Sequence, residues 1–447
     1  MIARVKHRLE SLEFTRAAIV LSTFAALLGL LFTPAVNHQT NDSYSYEADA
    51  QALLHGRYSI PLPAFDISSR VVPLAAQGLL QRDASRSPGY PALLALVGGG
   101  TSSVSRGILY LVQALLYGAT VLLVILTARR LWGEQIALLG GLLYAVDPWS
   151  KRYVSLVLTE ILAGFLIAAG LYLVTRARDR YSTRWWALAG FTLGAATLVR
   201  PSFVVVLPIV ALYAVFSKRR LRQRLVAGSV FLLCGLALVG PCVGWASNTS
   251  GRLVLTSFGE GVYLLLAADG EGLGHTSSQV TGSPTFMRDI NSVHRFAPTV
   301  AEFKRDPNAE SRYLAHADAV ERHLALKHYT HDIAHSPAHV VGQFLYRSYF
   351  LWLAHKDWYQ PAQPLALLPL RIIDWAALAL GSLGAALAVR RRGGSLFIVV
   401  LLVLFTAFSA LQHVEARYTY PFRGFYLCLV ALALSALWTR YRRPQST

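Results

Sequence analysis

Asp42, Glu47 and Asp49 stand within nineteen residues that also hold three tyrosines, in "TNDSYSYEADAQALLHGRY" (40–58). The cluster comes just after the first long apolar run of the chain, Ala17–Val36. A carboxylate beside a low-dielectric boundary has its pKa pulled toward the range of a general base. On a helix starting near Ser43, Asp42 would be the N-cap, and Tyr46 and Asp49 would share one face at i and i+3. Spacing alone leaves a second reading open, in which Asp42 only caps the helix and Glu47 and Asp49 form a solvated face.

Three further stretches carry chemistry. In "RDASRSPGYP", Arg82 and Arg86 precede Pro88, which is expected to open a short helix at its first position. Arginine beside a helix N-terminus makes an anion site, and interfacial arginines also meet lipid headgroups. In "DPWSKRYVSLVLTE", Asp147 caps a turn before Pro148, while Glu160 lies inside the apolar run that starts at Val154. In "QHVEARYTYP", His413, Glu415, Arg417 and Tyr420 stand at the head of the last apolar run. An ionisable residue near hydrocarbon is a functional candidate, although Glu415 and Arg417 also suit a plain ion pair.

What must position these residues is a membrane. Mean hydropathy is +0.43, only 15% of residues are charged, and apolar stretches of near-spanning length recur along the chain. Ten spans are predicted: 17–36, 106–128, 133–148, 156–175, 185–199, 201–216, 225–246, 365–389, 395–411 and 417–438. Short interfacial helices are expected at 43–55, 70–81 and 88–98, and an amphipathic helix at 340–358. The domain reading is 1–246 as an N-terminal membrane catalytic module with a first outer loop 37–105, 247–358 as an outer segment, and 359–447 as C-terminal spans and tail.

The net charge of +18 does not point to nucleic acid. The basic residues gather between apolar runs, at 4–16, 129–130, 176–184, 218–224, 390–392 and 440–443, and no finger, zipper or RNA-binding signature accompanies them. This is the positive-inside pattern, which puts those segments in the cytoplasm and the four polar clusters on the other face. Cys234, Cys242 and Cys428 sit in or at the end of apolar runs without ligand spacing. Eight of the thirteen histidines fall between His275 and His339. His331 and His335 are spaced to share a helix face, but Pro337 interrupts it, and contact with water or lipid phosphate is the simpler role.

The order of motifs resembles the GT-C superfamily of integral-membrane glycosyltransferases, in the bacterial branch related to protein O-mannosyltransferases and the aminoarabinose transferase of lipid A. The matching stretches are "NDSYSYEADAQALLHGRY", "RSPGYPALLAL", "LLYAVDPWSKRYVSLVLTEILA", "WWALAGFTLGAATLVRPSFVVVLP", "TSFGEGVYLLLA" and "EARYTYPF". The resemblance implies an all-α GT-C-like bundle of about ten transmembrane helices with a small outer domain. It implies a polyprenyl-phosphate-linked sugar donor and a glycan, lipid or protein acceptor, with membrane lipids as surroundings. Asp42 and Glu160 match the family's two acidic positions, with Asp147 a weaker match for the second. Arg86 and Arg417, with Arg200 as a third, match the basic residues that hold the lipid phosphate. Tyr46, Asp49, Tyr90, His413 and Tyr420 are candidate substrate contacts. Asn41-Asp42 stands where many relatives carry adjacent acids, so no cofactor is required and a divalent metal stays an option.

These expectations place the enzyme in the cytoplasmic membrane, with its site facing the periplasm or cell exterior. A glycan polymerase or ligase of the same type is the alternative within the class. A transporter or flippase of lipid-linked sugars is the rival from outside it. A transporter would show charges at mid-span and related halves with broken helices, whereas this chain places its charges at span ends.

Overall fold

Long apolar runs leave the backbone no partner but itself, so they fold as helices. The computed structural model describes residues 2–33, 41–61, 80–99, 102–180, 182–216, 220–254, 260–269, 284–294, 298–353 and 368–442. The chain opens with α1 (Ile2–Phe32) and α2 (Asn41–Leu54), followed by strands β1 (Ser59–Pro61) and β2 (Leu80–Arg82) and helix α3 (Gly89–Leu96). Then come α4 (Ser103–Trp132), α5 (Glu134–Val146), α6 (Pro148–Arg152), α7 (Glu160–Arg180), α8 (Thr183–Val199), α9 (Val206–Val215) and α10 (Leu221–Ser250). The segment expected on the outer side holds α11 (Glu260–Ala268), α12 (Pro284–His294), α13 (Val300–Arg305), α14 (Ala309–His335) and α15 (Pro337–Phe350). The chain returns through α16 (Leu368–Arg391), α17 (Gly393–Ala410), the 3₁₀ segment Ala416–Phe422 and α18 (Arg423–Tyr441).

Each of the ten expected apolar segments is helical over most of its described residues. Seven are long and apolar enough to cross a membrane, while 134–146 and 201–215 are shorter apolar helices and α8 has seventeen residues. The protein is therefore a multi-pass, all-α membrane protein. Leu31, Leu115, Leu233 and Val403 are exposed on helix flanks, as lipid-facing side chains are. Where α8 and α10 cross, Gly194 faces Gly235 so closely that a Cβ on Gly194 would lie 2.7 Å from the Gly235 carbonyl. Small residues at such crossings replace the hydrophobic drive that lipid removes.

Four local expectations change. The helix expected at 70–81 lies outside the described residues up to 79. Leu80 and Gln81 belong instead to an antiparallel ladder with register Ser59↔Arg82 and Pro61↔Leu80. The span expected from residue 156 begins as a helix only at Glu160, because 156–159 are bends. Pro88 is the N-cap of α3 rather than its first residue. The interfacial helix ends at Phe350, and 354–358 lie outside the described residues.

Basic segments 129–130 and 176–184 meet at one end of the bundle. Arg130 pairs with Asp179, Arg129 with Glu134 at 2.5 Å, and Arg178 lies over the Tyr213 ring at 5.8 Å. Helix α7 carries Glu160 at its other end, twenty-one residues or about 30 Å away.

Candidate active site

At the end remote from the basic segments, a cavity of about 170 Å³ is walled by α2, the loop after β2, the start of α7, the end of α8 with the turn after it, α11, the end of α17 and the head of the last span. Its charged lining comes from distant parts of the chain. Asp42 accepts one hydrogen bond on each oxygen, from Arg86 Nη2 at 3.1 Å and from Arg417 Nη2 at 3.1 Å. Glu160 is 1% exposed and takes Arg200 Nη1 on Oε1 at 3.0 Å, with Arg417 Nε at 4.0 Å. Arg417 also pairs with Glu415, to which His413 Nε2 donates at 3.4 Å.

Local sequence explains these positions. Helix α2 starts at Asn41, so Asp42 lies in its first turn rather than before it, and its carboxylate turns to the arginines instead of capping. Tyr46, one turn later, also lines the cavity, under Arg86 at 5.4 Å. Arg86 is held at its carbonyl by the Tyr58 hydroxyl at 3.1 Å. The loop then passes to α3, where a Cβ on Gly89 would lie 2.6 Å from the Leu198 carbonyl. Only glycine lets α3 sit so near the end of α8, beside Arg200. Arg200 lies over the Tyr418 ring at 4.7 Å, and His413 stacks on Tyr263 with centroids 5.6 Å apart.

Electrostatics follow from burial and pairing. Burial alone would raise the Asp42 pKa, but the Arg417 and Arg86 guanidinium groups outweigh it and hold the carboxyl below its ordinary value. Burial opposes ionisation of Glu415 too, yet Arg417 and His413 hold it down at about 2. Asp49 behaves in the opposite way. It is fully buried, neither oxygen has a hydrogen-bond partner, and burial with the neighbouring Asp83 pushes it up to about 9.

The structure thus brings together Asp42, Glu160, Arg86, Arg200, Arg417, Tyr46 and His413, all on the cavity wall. It does not bring Asp49, Tyr90 or Tyr420 to that wall. Asp49 points to the far side of α2, toward Asp83, because this helix is buried on more than one face. Tyr90 stands one layer behind, edge-on to Tyr46 at 5.2 Å and bonded to Gln113 Oε1 at 3.1 Å. Tyr420 is 4% exposed and packs on Tyr153 at 4.7 Å. Asp147 caps α6 by accepting from Ser150 N, as expected, and also pairs with Arg423 at 3.1 Å, away from the cavity.

Sequence reasoning missed the lining roles of Tyr263, Gln412 and Tyr418. Tyr418 was within reach as the neighbour of Arg417. Tyr263 was not, because the backbone bond His413 N→Tyr263 O at 2.9 Å joins segments 150 residues apart.

The lining does not suit a divalent cation. Both Asp42 oxygens and one Glu160 oxygen already face guanidinium groups, whose charge repels a cation. Among the described residues no group of three or more His, Cys, Asp or Glu side chains is arranged to hold a metal. His331 and His335 stack on each other at 4.2 Å, part of no such group.

Residues 85–245 match the family model described as dolichyl-phosphate-mannose-protein mannosyltransferase. The fold matches the archaeal oligosaccharyltransferase AglB from Archaeoglobus fulgidus, solved with an inhibitory peptide and a dolichol-phosphate, at 15% identity and TM-score 0.57. That match covers 96% of this chain and 51% of the other. The Archaeoglobus fulgidus oligosaccharyltransferase tethered with an acceptor peptide matches at 15% identity and TM-score 0.56, over 97% and 51%. ArnT from Cupriavidus metallidurans bound to undecaprenyl phosphate aligns at 12% identity and TM-score 0.40, over 94% and 77%. No curated protein matches by sequence. The chain shares the fold of the oligosaccharyltransferase structures it matches, and it spans about half their length.

Proposed function

We propose that this protein is a glycosyltransferase that moves a sugar from a polyprenyl-phosphate carrier to a hydroxyl of a glycan, lipid or protein acceptor, on the outer side of the cytoplasmic membrane. The observation that carries the reading is the convergence of three arginines from separate elements, Arg86, Arg200 and Arg417, on carboxylates at the mouth of a membrane bundle. Guanidinium forks bind phosphate and stabilise it as a leaving group. The mannosyltransferase match over 85–245 and the shared fold support the donor class.

In the step, the acceptor oxygen bonds to the sugar's anomeric carbon while the bond from that carbon to the phosphate oxygen breaks. The bonding pair stays on the phosphate, where the arginines meet the added charge, and the hydroxyl proton passes to Asp42. Glu160 orients Arg200 and Arg417. One displacement inverts the anomeric centre. Asp42→Asn keeps shape but cannot accept the proton. In membranes supplied with labelled polyprenyl-phosphate sugars and a membrane glycan fraction, its release of polyprenyl phosphate should fall about 10²–10⁴-fold. Release at the parent rate would remove Asp42 from the base role. Loss of release in Glu160→Gln alone would move that role to Glu160.

A further inference from the structure

We infer that Asp42 and the donor phosphate exchange the same two guanidinium groups, so that Asp42 becomes available as a base only once the donor is seated. This rests on the reading of the cavity as a lipid-phosphate site and adds its regulation.

The geometry engages both Asp42 oxygens as it stands, since each takes one arginine at 3.1 Å. A base so engaged has both oxygens covered and gains little from accepting a proton. The same two arginines come from the loop before α3 and the head of the last span, and their Nη groups point to one spot. The other carboxylates are less able to give way. Glu160 is 1% exposed and fixed to Arg200, which is itself seated on Tyr418. Glu415 is tied to both Arg417 and His413. Asp42, at 24% side-chain exposure, is far more accessible than Glu160 at 1% and level with Glu415 at 23%.

Charge balance points the same way. Among the described residues the site holds Arg86, Arg200 and Arg417 against Asp42, Glu160 and Glu415, a neutral set. A phosphodiester adds one negative charge to a desolvated, neutral place, which raises the proton affinity of the carboxylate it displaces while leaving it ionised at the pH of transfer. Asp42 released by the phosphate faces that anion together with Glu415, Tyr46 and Tyr263. It therefore holds a proton more readily than before, the property the transfer step needs. After transfer the phosphate has gained one negative charge and Asp42 one proton, so the total charge of the site is unchanged. Without a donor, the arginines keep both oxygens of the base engaged.

The test is binding of methyl farnesyl phosphate, a diester with a single charge across the range used, to the full-length protein in detergent by calorimetry. Asp42→Asn removes the competitor and should bind about tenfold tighter than the parent, while Arg86→Ala and Arg417→Ala bind more weakly. Equal or weaker binding by folded Asp42→Asn, with both arginine variants weakened, overturns the exchange and leaves the donor reading intact. Failure of the diester to bind any form overturns the donor reading itself. A second measurement needs only the parent. Its binding should tighten as pH falls from about 7.5, where the released carboxylate stays ionised and can act as a base, to about 5.5, where it takes up a proton on binding. The groups facing Asp42 are Arg86, Arg417, Glu415, Tyr46 and Tyr263, with His413 behind Glu415. A flat pH profile in the parent also overturns the exchange.

Discussion

Arg423→Met tests whether the buried ion network beneath the cavity holds the last span in place. Arg423 is 4% exposed and donates to Asp147 Oδ1 at 3.1 Å and Asp374 Oδ1 at 3.5 Å. Asp147 keeps Ser150 N and Oγ on its other oxygen, and Trp149 Nε1 donates to Asp374 at 3.2 Å. Removing the guanidinium leaves two buried carboxylates without their shared counter-charge, a change that costs about 3–5 kcal/mol. An unfolding entropy of roughly 2 cal/mol/K per residue gives about 0.9 kcal/mol/K for 447 residues, so the midpoint should drop by about 3–6 °C. The assay is tryptophan fluorescence on heating in detergent micelles. Arg423→Met combined with Asp374→Asn should recover a large part of the loss, because fewer buried charges are then left over. A midpoint within a degree of the parent for Arg423→Met alone would refute the reasoning.

Asp49→Asn should stabilise the protein, increasingly so as pH rises. The folded carboxyl holds its proton up to about 9 against an ordinary value of 3.8, so stability is lost from the parent as pH climbs through that window. Denaturation midpoints at about pH 5 and about pH 8 check it, and a gap between variant and parent that does not widen would count against it. On a background with the three cysteines replaced, Arg57→Cys and Lys327→Cys should react with an impermeant thiol reagent in intact spheroplasts, while Arg222→Cys stays unlabelled. Labelling of only one of the first two would break the assigned topology.

The ten apolar helices were legible because membrane-length hydrophobic runs have few alternatives. The convergence of Asp42, Arg86, Glu160, Arg200 and Arg417 followed from motif order, which placed all five at outer span ends. What escaped were relations across the chain. Asp49 reads as a substrate contact or a solvated helix residue, whereas it is fully buried, and Glu310 near it is itself pushed up to about 8 by burial and by Asp83. Asp374, in a stretch that looks purely apolar, has meaning only beside Arg423, forty-nine residues later. The β1–β2 ladder was unreadable because each strand has only three residues.

The loop that carries Arg86 is fastened to the outer segment on both edges. Gln81 Nε2 donates to Phe303 O at 2.9 Å, Arg82 N to Pro307 O at 2.8 Å, Ser311 Oγ to Arg82 O at 2.6 Å, and Ala84 N to Ser311 Oγ at 3.2 Å. For anyone recombining such proteins, residues 80–87 and 303–311 therefore form one inheritable cassette. A chimera that imports a foreign outer segment alone would leave the Arg86 loop on mismatched fastenings. One that imports both stretches together could change what the outer face recognises while keeping the guanidinium over Asp42.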